Sequence, residues 1–192
     1  MNALTLQLPP HLKFTDEEFE QIVAVNKELR LELTVEGELV IMSPTGGETG
    51  SRNFDLLGQL WFWNSQNNLG KAFDSSTGFR LPNGATRSPD AAWVRIERWN
   101  SLTPEQRKKF LPLCPDFAVE LVSETDDVAE TQAKMEEYLA SGLLLGWLIN
   151  PKDKQVIIYR PHQAPEVLQS PTSLSGEDIL PGFVLNLQQI FA

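Results

Sequence analysis

Residues 115–123, PDFAVELVS, constrain this chain more than any other stretch. Phe117, Ala118, Val119, Leu121 and Val122 make a short apolar run with the length and composition of a buried β-strand. Glu120 stands in the middle of it. An ionised carboxylate inside a sheet is costly unless a cation or several donors meet it. Any fold of this chain must therefore bring a partner to Glu120, either a protein cation or a metal ion.

The flanking patterns say what kind of sheet that strand joins. TDEEFEQIVAVNKEL opens with Thr15 and Glu18 spaced as a capping box, and Phe19, Ile22 and Val23 follow at helical period. LELTVEGELVIM alternates apolar and polar on both sides of Glu36-Gly37, the pattern of a hairpin. A glycine-rich turn, SPTGGETG, leads into a second helix whose apolar face is read as Phe54, Leu57 and Trp61. PDAAWVRI reads as a strand, and TPEQRKKF as a short helix capped by Thr103 with Pro104 at its first position. After the strand carrying Glu120, DDVAETQAKMEEYLASG is a helix with Asp127 as cap and a buried seam of Val128, Met135, Leu139 and Gly142. LLLGWLIN is a buried strand, KQVIIYRP and PEVLQS a closing hairpin, and a short tail follows. Helices before, between and after strands imply α/β or α+β architecture around one mixed sheet. At 192 residues, with no repeat or linker, residues 1–192 are expected to form one domain.

A single cysteine, Cys114, leaves no internal disulfide to form, as expected of a cytoplasmic protein. MNALTLQLPP has neither a basic start nor an apolar run, and LLLGWLI is too short to span a bilayer, so no signal peptide and no membrane partner are expected. Sixteen basic against 26 acidic residues argue against broad coating of nucleic acid. The charge is uneven, however. Residues 115–138 hold eight acids and one base, Lys134, whereas residues 85–110 hold six bases and three acids. An acidic centre beside a basic strip suits a metal site that faces a polyanion; two solvated faces of opposite sign would look the same.

Asp90 lies at the mouth of one strand, Glu120 within what should be its neighbour, and Lys134 on the helix that follows. Two carboxylates on adjacent strands can share one hard divalent cation that keeps several waters. A lysine beside them can orient or deprotonate a water, or steady charge building on a phosphate. Each residue also has a plainer reading. Asp90 can be a strand-entry residue, Glu120 the partner of an Arg or Lys, and Lys134 a surface lysine. Asp116 is expected to cap nearby backbone amides, and Tyr138 and Trp147 to be core or interface side chains. With only His11 and His162, a histidine-rich metal site is unavailable.

The pattern SPD, PDFAVELVS, Lys134, Tyr138 and GWLINP resembles the PD-(D/E)XK nuclease superfamily, and within it the Uma-two family of restriction-endonuclease-like proteins. GELVIMSP, GFRLPNG and LSGEDILPGF extend the resemblance over most of the chain. It implies a restriction-endonuclease-like mixed β-sheet flanked by helices, with an N-terminal helix and β-hairpin. It implies as well a site for Mg²⁺ or Mn²⁺, DNA as substrate and a homodimer. By the resemblance Asp90 and Glu120 are metal ligands, Lys134 is the catalytic lysine, and Glu48 is a further carboxylate at the metal. Two departures stand out. Val122 occupies the place where the superfamily carries its lysine, so the amine must come from the helix, and Thr49 stands where many relatives carry a histidine.

Three functions are compatible with these residues. The first is a metal-dependent endonuclease that cleaves DNA by attack of an activated water on phosphorus, with Arg87, Arg95 and Arg98 approaching the phosphates. The second keeps the fold as a non-catalytic binding or assembly module. These two part on one observation: whether the Lys134 amine reaches the cleft between Asp90 and Glu120. The third is hydrolysis of a small phosphorylated or nucleotide substrate, which would show as a closed pocket too narrow for a duplex.

Overall fold

A computed structural model of the chain describes residues 3–6, 14–124 and 126–192. In chain order its elements are β1 (Ala3–Leu6), α1 (Asp16–Val25), β2 (Arg30–Leu33), β3 (Leu39–Met42), α2 (Gly47–Asn67), β4 (Gly70–Asp74), β5 (Phe79–Arg80), β6 (Thr86–Arg87) and β7 (Ala91–Arg95). Then come α3 (Ile96–Ser101), β8 (Phe117–Leu121), α4 (Val128–Ala140), β9 (Leu145–Asn150), β10 (Gln155–Tyr159), β11 (Glu166–Gln169), β12 (Ser173–Ser175) and β13 (Val184–Asn186).

The strand inside PDFAVELVS is β8, buried along its whole length. It lies within a six-stranded sheet of order β11-β10-β9-β8-β7-β4. β8 and β9 run parallel, and α4 makes the crossover that a parallel pair requires; the other pairings are antiparallel. The sheet is thus mixed and flanked by helices, as expected.

Alternation along the strands sends side chains to two cores. Phe117, Val119 and Leu121 face α2 and the C-terminal segment, meeting Leu56, Leu60, Trp63, Phe183 and Leu185. Ala118 and Val122 face α4, meeting Met135 and Tyr138. Glu120 shares the parity of Ala118 and Val122, so it points into the α4 side. α4 is seated closely there, because β9 carries Gly146, where a Cβ would come 2.4 Å from the Met135 Cε. The helix is capped by the Asp127 side chain, which accepts from the Ala129 amide, and ends at Gly142 with φ of 105°. Glycine adopts that left-handed conformation without steric cost.

The hairpin belongs to a second sheet, of order β1-β3-β2-β6-β5, where a single central sheet was expected. α1, closed by the Thr15–Glu18 capping box, covers one face of it with Phe19 against Leu31, Leu33 and Leu39. The opposite face of β2 turns towards α4 and the large sheet, and a cleft lies between them.

Several local expectations are corrected. The buried face of α2 is Leu56, Leu60 and Trp63, whereas Phe54 and Trp61 are 77% and 64% exposed. Leu57, the third residue of the expected face, packs partly buried against the core, and aromatics line both sides of this helix, so periodicity alone misplaced Phe54 and Trp61. Ile96 starts α3 instead of extending β7. TPEQRKKF forms only a 3-10 turn at Gln106–Lys108, although Thr103 and Gln106 close a box on each other's amides. The tail is a structured hairpin, β12–β13, and Leu174, Leu185 and Leu187 lie in the core. Among the described residues no helix is long and apolar enough to cross a membrane.

Candidate functional site

Glu120 meets Lys134. The Lys134 Nζ lies 3.0 Å from Glu120 Oε1, and the Tyr138 hydroxyl donates to the same oxygen at 3.0 Å. Lys134 and Tyr138, four residues apart, share one side of α4, so a lysine stem lying along that helix carries its ammonium back to the sheet.

Asp90 joins them through strand register. β7 and β8 pair Ala91 with Val119 and Ala92 with Ala118. One step further, that register sets Asp90 opposite Glu120 on the same face. Asp90 Oδ2 accepts from the Leu121 amide at 2.8 Å. No hydrogen bond from a described residue reaches Asp90 Oδ1 or Glu120 Oε2.

The sequence reading missed Glu32. Its carboxylate comes from β2, 2% exposed, and takes the Lys134 ammonium at 2.9 Å and the Ser88 amide at 2.8 Å on Oε1. Arg87 reaches its Oε2 at 3.3 Å and also Glu137 at 2.5 Å. A signal was present: Glu32 sits between Leu31 and Leu33 as Glu120 sits within β8. It was masked because an alternating hairpin reads as having a wet face, and here that face lines a cleft.

Burial and neighbouring charge set the protonation of these groups. Burial pushes Glu120 up to about 7, with Asp90 and Glu32 adding to the push and Lys134 opposing it. Burial also raises Asp90. For Glu32 burial works upward, but Lys134 and Arg87 together outweigh it and hold the carboxyl below its ordinary value. Lys134 is raised: burial disfavours its charge, yet Glu120 and Glu32 overcome it. The lysine is therefore a held cation and hydrogen-bond donor, unsuited to removing a proton itself.

These groups line a cleft of about 620 Å³ between the β2–β3 hairpin and α4. Nine of its lining side chains are acidic and two, Arg87 and Lys134, are basic. A phosphate backbone would enter such a cleft only with cations to offset that excess. Hard oxygen ligands with lone pairs left open by the described residues fit a divalent cation of the Mg²⁺ or Mn²⁺ type, which would keep several waters. Among the described residues no cluster of three or more His, Cys, Asp or Glu forms a ready-made cage. Such an ion would be held by two carboxylates and solvent.

The remaining candidates lie elsewhere. Glu48 is on the first turn of α2, its side chain 80% exposed and 3.6 Å from Arg52. It lines a different groove, with Ser123 and Glu124. Arg95 and Arg98 both pair with Asp116 near the far end of β7 from Asp90. Asp116 also accepts from the Arg95 amide, the capping role expected of it. Cys114 is buried, and burial pushes its thiol up to about 12. His11 lies outside the described residues.

Comparison with known proteins adds an independent line. The family Uma2, described as "Putative restriction endonuclease", matches residues 16–188. A crystal structure of a "putative nuclease belonging to DUF820" from Anabaena variabilis superposes with a TM-score of 0.77 at 19% identity. The match covers 93% of this chain and 97% of that one, and it shows a shared fold. No curated protein matches the chain.

Proposed function

Since the chain belongs to the Uma2 family of restriction-endonuclease-like proteins, we propose that it is a metal-dependent endonuclease hydrolysing DNA phosphodiester bonds. The proposal takes residues 1–192 as one cytoplasmic restriction-endonuclease-like domain. Asp90 and Glu120 hold Mg²⁺ or Mn²⁺. When bound, such an ion lowers the pKa of a coordinated water and offsets charge on a phosphate. Lys134 stays protonated and donates to a phosphate oxygen or to the attacking water, where a fixed cation stabilises developing charge. Tyr138 and the Leu121 amide orient the two carboxylates.

One observation carries this reading: the Lys134 amine lies in the cleft, 3.0 Å from Glu120. Had it pointed to solvent, the assembly-module reading would have been favoured. Glu48 belongs to the proposal only as an outer carboxylate, because its exposed position beside Arg52 is apart from Asp90 and Glu120.

The proposal includes a homodimer. α2 presents Phe54, Trp61 and Phe62 to solvent, at 77%, 64% and 62% exposure, and Gly58 lies between them on the same side. A Cβ at Gly58 would meet nothing within 4 Å, so none of the described residues uses the missing side chain. A glycine inside a helix costs about 1 kcal/mol relative to alanine. A second copy crossing at Gly58 gives that glycine a packing role and covers the aromatics.

Calorimetric titration of Mn²⁺ into the wild type, Asp90→Ala and Glu120→Ala tests the core of the reading. One ion bound per chain in the wild type and none in either variant is the expected result, with Mn²⁺-dependent cleavage of DNA that Lys134→Ala abolishes. A wild type that binds no Mn²⁺ sinks the nuclease and leaves the fold.

A further inference from the structure

We propose that Glu32 is the positioning residue of this site: it anchors the Lys134 ammonium within the cleft, so that Glu120 is not that ammonium's sole counter-ion. The consequence for metal binding rests on the nuclease reading, whereas the anchor itself rests on geometry alone.

Lys134 Nζ bridges two carboxylates that come from different sheets, Glu32 of β2 at 2.9 Å and Glu120 of β8 at 3.0 Å. The two carboxylates are not held alike. Glu32 is fixed from three directions, by the Ser88 amide, Arg87 and Lys134 itself. Arg87 is in turn fixed by Glu137. The side chain of Glu32 is 3% exposed, so it can neither swing away nor exchange its partners for water. Glu120 has Tyr138 and Lys134 on a single oxygen and leaves the other without a hydrogen bond from a described residue.

This asymmetry divides the labour. A lysine with one carboxylate partner closes an ion pair, and an entering cation must break that pair. Here Glu32 supplies the fixed counter-charge. Glu120 and Asp90, facing each other one step beyond the ladder, are then left to meet a cation. An ammonium carries three donors. Among the described residues two are engaged, which leaves the third for a substrate oxygen. Glu32 touches neither the proposed ion nor the substrate; it acts through Lys134.

Lysine ¹H–¹⁵N NMR of the metal-free protein reads the anchor directly. An ammonium gripped by buried carboxylates exchanges protons slowly enough to give a resolved signal, which the side-chain carbons assign to Lys134. We expect the signal in the wild type, its persistence in Glu120→Gln and its loss in Glu32→Gln. If Glu32→Gln does not fold, Glu32→Asp takes its place. It keeps the charge that Arg87 needs and withdraws it from Lys134 by one methylene, with the same expected loss. A signal that survives at position 32, or disappears in Glu120→Gln, or is absent from the wild type, overturns the anchor. Mn²⁺ titration then reads the consequence. Glu32→Gln should bind at least tenfold more weakly than the wild type, yet change affinity less than twofold in a Lys134→Met background. Equal weakening in both backgrounds would make Glu32 a direct ligand and overturn its positioning role. A wild type that binds no Mn²⁺ sinks the nuclease reading alone and leaves the NMR result standing.

Discussion

Asp90 stands opposite Glu120 one step beyond the β7–β8 ladder, on the face that α4 covers. Two carboxyls so placed cannot both ionise cheaply in a buried setting. The Asp90 charge adds to burial in pushing Glu120 up to about 7. The pair is poised to exchange a proton for a cation.

The stability of the metal-free protein should report that poise. Glu120 rises from an ordinary 4.5 to about 7 on folding, so folding favours its protonated form. Its contribution is fully present below about 4.5 and is lost as pH climbs through about 7. Asp90, also raised, has the same sign. Glu32, held low, has the opposite one: its contribution is present above its unfolded value and lost as pH falls through its folded value. Between pH 5 and 8 the Glu120 share amounts to on the order of 3 kcal/mol. Urea unfolding across that range should show the wild type weakening more steeply than Glu120→Gln, which keeps only the Asp90 share. Parallel profiles would refute the assignment.

Metal affinity should carry the mirror image of this dependence. An ion that displaces the proton of Glu120 binds better as that proton leaves. Mn²⁺ affinity is therefore expected to rise roughly tenfold per pH unit below about 7 and to level off above it. Calorimetry at pH 5.5, 6.5 and 7.5 checks the slope, and a flat profile places the ion away from Glu120.

Lys134→Met should separate binding from chemistry. Removing one partner of a buried ion pair costs about 3–5 kcal/mol, so the metal-free variant should unfold at lower urea. The carboxylates left behind have lost their cation, and Mn²⁺ should bind at least as tightly as in the wild type. Cleavage, if a fixed cation stabilises the charge that develops, should fall about 100-fold or more. A variant that cleaves normally removes Lys134 from the chemistry.

How much of this was legible in the sequence depends on which side chains the fold turns inward. Glu120 announced itself because β8 is apolar on both faces, which leaves a carboxylate no wet side to occupy. Asp90 followed from strand order, and Lys134 from its helix coming directly after β8. Glu32 did not announce itself. Its hairpin alternates like a half-exposed strand, and only the docking of a second sheet against α4 turns the polar face of β2 into the wall of a cleft. The basic strip misled for a related reason. Linear spacing could not show that Arg95 and Arg98 are both drawn to Asp116, or that Arg87 is locked between Glu32 and Glu137.

The corrected face of α2 is open to test by two truncations. Leu56→Ala removes a fully buried side chain from the core and should cost about 2–5 kcal/mol. Phe54→Ala, two residues away and 77% exposed, should change monomer stability by no more than about 0.5 kcal/mol. Comparable losses in denaturant titrations would return Phe54 to the core.

The exposed side of the same helix bears on assembly. Phe54, Trp61 and Phe62 leave on the order of 400 Å² of aromatic surface in water, at about 150–250 Å² for each fully buried ring. A patch of that size is among the largest that monomers expose, and such patches are often functional. A stable interface takes about 800 Å² from each partner, so the aromatics would supply its centre and polar neighbours the rim. Trp61→Lys places a charge at that centre. The variant should sediment as a monomer where the wild type is a dimer, and its far-UV spectrum should be unchanged because Trp61 lies outside the core of its own chain. Mn²⁺ binding should survive as well, since Asp90, Glu120 and Lys134 all come from one chain. Equal sedimentation of the two proteins would show that α2 does not join them, whether both run as monomers or both as dimers held elsewhere.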